Sequence, residues 1–236
     1  MNKENILFGV VGLLAGLIIG FMFANSVNQG ANVTATSAGK PQSNSLPPGH
    51  PDVPGGADPA GQSQAMSPAI QAAIDKAKNE PENFDAQLKA AEVYYQIQRF
   101  DGAIEYLTRA NKLKPDDYGV IVQMGNANFD AEKYPEAEKW YAAALAKKAD
   151  DVNVRTDLGL TFVFSEPPNY DRAIQEFRKS LETDPNHIQT LQNLTVAYSK
   201  KGDAANAKAT LTKLESVDPS NPAIAKLRED ISGPAS

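Results

Sequence analysis

The chain has 236 residues, 42% of them hydrophobic, a formal net charge of −6 and no cysteine. That length suits one domain with appendages, and the missing thiols remove disulfides, thiolate metal sites and cysteine nucleophiles together. A negative balance with no segment rich in Lys and Arg argues against a nucleic-acid surface.

From Ile6 to Ala24 no side chain is charged or strongly polar. As a helix this run spans roughly 28 Å, about one hydrocarbon core, so residues 1–26 are read as a single transmembrane anchor. A cleavable signal is the other reading, because Ala24-Asn25-Ser26 offers small residues near a cleavage spacing. Lys3 precedes the run and the next basic residue is Lys40, which places the bulk of the chain outside the cytoplasm. Gly12, Gly16 and Gly20 recur every four residues, a face through which two such helices would approach as a homodimer.

Residues 27–66 carry Pro41, Pro47, Pro48, Pro51, Pro54 and Pro59 among Gly, Ser, Asn and Ala. With almost no large apolar side chains the segment cannot offset its ordering entropy, and it is expected to be a disordered linker with a reach on the order of 35 Å. Its lone His50 has no partner imidazole and reads as part of a solvated spacer.

Beyond it the chain repeats. Ala103, Ala137, Ala173 and Ala207 recur at intervals of 34, 36 and 34, and Leu107, Tyr141, Phe177 and Leu211 keep the same offsets. The large residues Tyr94, Phe162 and Tyr198, with Asn128 in their series, follow Ala90-Ala91, Met124-Gly125, Leu158-Gly159 and Leu194-Thr195. The two extra residues of the third unit fall between Phe162 and Ala173, in "SEPPNYD", where Pro167-Pro168 interrupt a helix; they lengthen a turn and leave the packing face alone. Unit ends read "LKPDD", "KKADD", "TDPNH" and "VDPSN", with Ala149 where the others have proline. Small residues at the recurrent positions let two helices approach while the large residue fills the gap beside them.

Helix pairs of this length with small, aromatic, Ala and Pro positions in that order resemble tetratricopeptide repeats. The resemblance implies an all-α helix-turn-helix solenoid of about four repeats, at 84–117, 118–151, 152–187 and 188–221, within a domain spanning 67–231. "SPAIQAAIDKAKNEP" reads as a half-repeat in front, with Ser67 as N-cap, Pro68 at the first helical position, and Ala69, Ala73 and Pro81 on the second-helix offsets. "NPAIAKLREDI" supplies a capping helix over 222–231 with Ile224, Leu227 and Ile231 on one face.

Catalytic constellations are not in evidence. The histidines are His50 and His187, and no P-loop, dinucleotide-binding glycine pattern or Asp-x-Asp calcium loop is present, so no cofactor, metal or enzymatic activity is expected.

The resemblance further implies that the first helix of each pair lines a concave groove. By the family's geometry the groove positions are Leu88, Glu92 and Tyr95, then Val122, Asn126 and Phe129, then Thr156, Leu160 and Val163, then Gln192 and Val196. Asp85, Gly119, Asn153, Gln189 and Ser199 complete the set. Such a lining suits a protein or peptide partner with apolar side chains, Asn126 hydrogen-bonding its backbone. Phe129, Leu160 and Val163 read equally as packing between repeats. Family members that clamp a terminal carboxylate use Lys and Asn at two of these positions; here Asn126 matches, while Val122 and Leu88 replace the Lys. The order of anchor, tether and repeats, with "VRTDLG" and "TDPNHIQTLQNL", resembles the repeat proteins of cytochrome c maturation. The expected function is a non-enzymatic, membrane-tethered binding module, an assembly factor or adaptor outside the cytoplasm. A self-associating scaffold is the alternative.

Overall fold

The computed structural model describes residues 67–232. The expected membrane anchor, its glycine face and the expected linker lie outside these residues. Among the described residues the chain forms ten helices and no strand: α1 (Pro68–Asn79), α2 (Phe84–Gln96), α3 (Phe100–Leu113), α4 (Tyr118–Asp130), α5 (Tyr134–Lys147), α6 (Val152–Phe164), α7 (Tyr170–Thr183), α8 (Ile188–Lys201), α9 (Ala204–Val217) and α10 (Ile224–Ser232). No helix among them is long and apolar enough to cross a membrane. Each packs chiefly on its neighbours in sequence, and α8 also meets α6 and α10 directly. This is the all-helical solenoid that the 34-residue spacing implies.

Local chemistry repeats with the fold. The first helices α2, α4, α6 and α8 start behind Asn83, Asp117, Asp151 and His187, whose side chains accept the N–H of Ala86 (3.1 Å), Val120 (3.0 Å), Val154 (3.1 Å) and Thr190 (3.4 Å). Each cap satisfies an N–H that the helix itself leaves orphaned. Burial lowers the pKa of His187, which keeps its ring neutral and able to accept.

The turns inside the pairs share one closure. The N–H of Arg99, Lys133 and Asp203 donates to the carbonyl of Tyr94 (2.9 Å), Asn128 (2.8 Å) and Tyr198 (2.9 Å). The residue before each donor is left-handed: Gln98 at φ 57°, Glu132 at 59° and Gly202 at 84°. This is the Schellman pattern. In the third pair Asn169 N–H donates to Phe162 O at 2.8 Å, the same bond closed over a turn two residues longer. The insertion therefore sits in the turn, and the helices on either side keep their register.

Within the pairs, a Cβ placed on Gly125 or Gly159 would overlap the ring of Tyr141 or Phe177 on the second helix. Those rings are fully buried, as are Leu107 and Leu214. Glycine is required there by close approach rather than by backbone angle.

At the amino-terminal end Ser67 and Pro68 cap and start α1 as expected, with Ile70 N–H donating to Ser67 Oγ at 3.4 Å. The packed residues are Ile70, Ala73, Ile74 and Ala77, while Ala69 is exposed. Of the two second-helix offsets read here, Ala73 therefore packs against the core and Ala69 does not. The physical reason is side-chain size: Ile70 and Ile74 bury more apolar area than Ala69 could, so they take the inner face. At the other end Ile224 and Leu227 are buried and Ile231 packs beside them against Leu191, Leu211 and Leu214.

Candidate functional site

The candidate groove residues divide by depth. Phe129, Thr156 and Leu160 are only 7%, 0% and 3% exposed, so they stand in the packing and not on a presented surface. The Phe129 ring meets Tyr134 (centroids 5.4 Å) and Phe164 (5.7 Å) edge-on. Thr156 Oγ1 donates to Val152 O at 2.8 Å and contacts Thr190 Oγ1 at 2.6 Å and Ser180 Oγ at 3.2 Å, tying α6 to α7 and α8. A hydroxyl with three neighbours inside the stack is an inter-repeat bolt. Leu88 packs into the amino-terminal core, Val196 into the carboxyl-terminal one, and Gln192 Nε2 donates to Asn221 Oδ1 at 2.7 Å beside the capping helix. Glu92 is exposed and turns to Lys89 (2.8 Å) and Gln96 (3.0 Å) on its own helix.

Tyr95, Val122, Asn126 and Val163 remain half-buried on the first-helix layer. Two of them belong to a polar cluster that extends beyond the groove set. The Tyr95 hydroxyl, on α2, donates to the Asp130 carboxylate on α4, and its ring meets Phe100 edge-on with centroids 5.4 Å apart. The Tyr141 hydroxyl, on α5, donates to Asn126 Oδ1 at 2.9 Å. Asp157, on α6, is 8% exposed and has no hydrogen-bond or ion-pair partner among the described residues.

Electrostatics make this cluster unusual. Burial pushes the Asp157 carboxyl up to about 8, and the charges of Asp151 and Asp130 add to the rise. Burial also raises Asp130, with the Tyr95 hydrogen bond pulling the other way. The Tyr95 and Tyr141 hydroxyls are raised first by burial and then by these carboxylates, Asp130 and Asp157 acting on both. No cation contributes at Asp157. Two carboxyl groups and two phenols on four helices thus have raised pKa values, with burial the first cause at each.

Asp130 and Asp157 were not among the groove positions of the sequence reading. A signal for Asp157 was present: it lies three residues after Val154 and four before Thr161, both buried, so helical spacing alone puts this carboxyl on the packed stripe. Elsewhere on the first helices Gln87 Oε1, Asn153 Oδ1, Gln189 Nε2 and Asn193 Nδ2 are buried without a partner among the described residues. Among the described residues no group of three metal-ligating side chains converges.

Tetratricopeptide-repeat family models match residues 98–156 with 169–231 and, separately, 61–118. The chain belongs to the tetratricopeptide repeat family. Its fold is similar to that of MamA, at a TM-score of 0.58 and 25% identity over 64% of this chain and 87% of that one. It is similar too to YrrB, a TPR protein with an unusual peptide-binding site, at 0.59 and 18% over 68% and 82%. A third similar structure is MamA from Desulfovibrio magneticus RS-1, at 0.59 and 19% over 65% and 86%. As a tetratricopeptide-repeat protein the chain is a protein–protein interaction module, and protein or peptide partners follow from the fold.

Proposed function

We propose that this repeat protein is a non-enzymatic, membrane-tethered assembly factor or adaptor that holds a segment of a partner along its first-helix face, outside the cytoplasm. The observation that carries the binding reading is the first-helix layer itself. Val122 on α4 and Val163 on α6 are half-buried and offer apolar contact, and polar groups of the same layer are already fixed by packing, Asn126 by Tyr141 and Asp130 by Tyr95. Groups held in place before a ligand arrives lose little entropy on binding. YrrB, with its peptide-binding site, lends the reading support by analogy.

Tethering rests on the apolar run from Ile6 to Ala24 and the proline-rich stretch after it. The narrower assignment to cytochrome c biogenesis rests on the order of anchor, linker and repeats. A photo-crosslinking amino acid at Val122 or Val163, compared with one at exposed Lys139 on α5, tests the reading in membranes. A partner attached through the two first-helix positions and not through Lys139 supports it. Attachment to a second copy of the chain would replace it with the self-associating scaffold, and equal yields at all positions would remove the groove.

A further inference from the structure

Three of the four first helices are capped by side-chain oxygens, those of Asn83, Asp117 and Asp151. An amide or carboxyl oxygen keeps a lone pair for that bond whether or not the group binds a proton. The fourth cap is an imidazole, whose accepting nitrogen is the one that titrates. His187 Nδ1 accepts the N–H of Thr190 at 3.4 Å and lies 2.6 Å from its hydroxyl. Thr190 Oγ1 is in turn 2.6 Å from Thr156 Oγ1 on α6, which is 3.2 Å from Ser180 Oγ on α7. All three hydroxyl residues are fully buried, so the ring caps α8 and also ends the chain of hydroxyls that ties α8 to the third pair.

We propose that His187 is an acid-sensitive latch: a proton taken up at Nδ1 uncaps α8 and loosens the seam between the third helix pair and the fourth. Nδ1 has a single lone pair, so once protonated it donates and can no longer accept the Thr190 N–H. The imidazolium also sets a positive charge against a helix amino terminus, whose orphan N–H groups already carry partial positive charge. Both effects fall on the turn that holds Thr190 and the buried Leu191. Two carboxyl groups act on the ring, Asp184 from the preceding turn and Asp151 from the start of α6. Both favour the cation, but burial outweighs them and the cap holds at neutral pH. Asp151 is already engaged by Lys148 at 3.4 Å and by the Tyr118 hydroxyl at 2.8 Å, and from α9 Lys213 Nζ lies 2.7 Å from Oδ1 of the neighbouring Asn186. A base whose pKa is lowered by folding binds its proton more readily in the unfolded chain, so the latch stabilises the array near neutrality and is lost as pH falls.

The test is amide hydrogen exchange of the full-length chain in detergent micelles between pH 7 and pH 5, corrected for the intrinsic rate at each pH. Protection over residues 190–194 is expected to fall about tenfold in acid, the order of one lost helix cap, while the first turns of α4 and α6 keep theirs. The midpoint of that fall should follow the titration of the His187 ring protons in the NMR spectrum, told apart from those of His50 by their loss in His187→Asn. His187→Asn keeps an accepting oxygen and has no titrating nitrogen, so its protection should hold at both pH values. His187→Ala, with no cap, should show the acid level of protection already at pH 7, and circular dichroism checks that both variants stay helical. Protection that is indifferent to pH, that falls equally at every first helix, or that still falls in His187→Asn overturns the latch. A His187→Ala chain as well protected at pH 7 as the unaltered one overturns it too, because the cap would then hold nothing.

Discussion

The two middle pairs and the two outer pairs build one architecture from different side chains. In the middle pairs Gly125 and Gly159 lie against the buried rings of Tyr141 and Phe177. In the outer pairs Ala91 and Thr195 occupy the glycine positions, and Leu107 and Leu211 those of the rings. The helix pairing tolerates either partition of volume, so the ring is not needed to make a tetratricopeptide unit. What it adds is reach. Tyr141 carries a hydroxyl through the stack to Asn126, a group that leucine or phenylalanine at that position would lack. The carboxyl groups of Asp157 and Asp130 add to the rise that burial imposes on this same hydroxyl.

If the partition of volume is right, the largest loss should come from emptying a middle pair. Phe177→Ala removes a fully buried ring and should cost about 3–5 kcal/mol, read from the shift of the urea midpoint at constant slope. Gly159→Ala is subtler, because alanine is the better helix former by about 1 kcal/mol. Its Cβ nevertheless overlaps the Phe177 ring, and the net effect should be a loss of about 1–2 kcal/mol. Combining it with Phe177→Leu approximates the outer-pair partition and should be less destabilising than the two single losses added. Additive losses would mean that glycine and ring do not share one volume.

The array was legible because its signals are periodic. Small residues, large residues, caps and prolines recur at one interval, and even the displaced turn at Pro167-Pro168 showed as an offset in that interval. The site was less legible, because family positions name a face of a helix and not its depth. Thr156 at such a position is fully buried by contacts to Ser180 and Thr190, residues from two other helices whose approach no single-helix pattern contains. The same holds for Phe129, closed over by Tyr134 and by Phe164 from the next pair. A charge introduced at Phe129 or Leu160 would therefore test folding before it tested binding. Asp157 failed to register for the opposite reason: it carries a polar side chain at a packed position, where an apolar one is the rule.

That exception gives the middle of the array a pH dependence that runs through neutrality. The Asp157 carboxyl stands at about 8 in the folded chain, against about 4 when unfolded. Between those values the folded state holds a proton that the unfolded state has released, so stability falls as pH rises through the window. Asp130, also raised by burial, acts in the same direction. His187, lowered by burial, opposes them only on the acid side of its ordinary range. Denaturation between pH 6.5 and 8 should therefore show stability declining by at most about 1.4 kcal/mol per pH unit from Asp157, and Asp157→Asn should flatten the decline. A slope that survives the substitution would place the titrating group elsewhere.

The smallest effect belongs to the outer surface, where pairs of opposite charge also repeat between units. Lys133 Nζ lies 2.7 Å from Asp101, with the two side chains 45% and 85% exposed, and Arg172 lies 2.7 Å from Glu138 between the second and third pairs. Water screens such pairs, and holding two long side chains together costs about as much as the attraction returns. Lys133→Ala should change stability by no more than about 0.5 kcal/mol, and that little should vanish in molar salt. Arg155 and Glu176 differ, 2.9 Å apart and only 17% and 13% exposed inside the third pair, where Arg155 also donates to Ala149 O at 2.8 Å. Glu176→Gln there should cost more than Lys133→Ala and keep its effect in salt, since a partly buried guanidinium would lose its counter-charge. Equal, salt-sensitive losses at both places would mean that the Arg155–Glu176 pair is as well hydrated as the outer-surface pairs, against its low exposure.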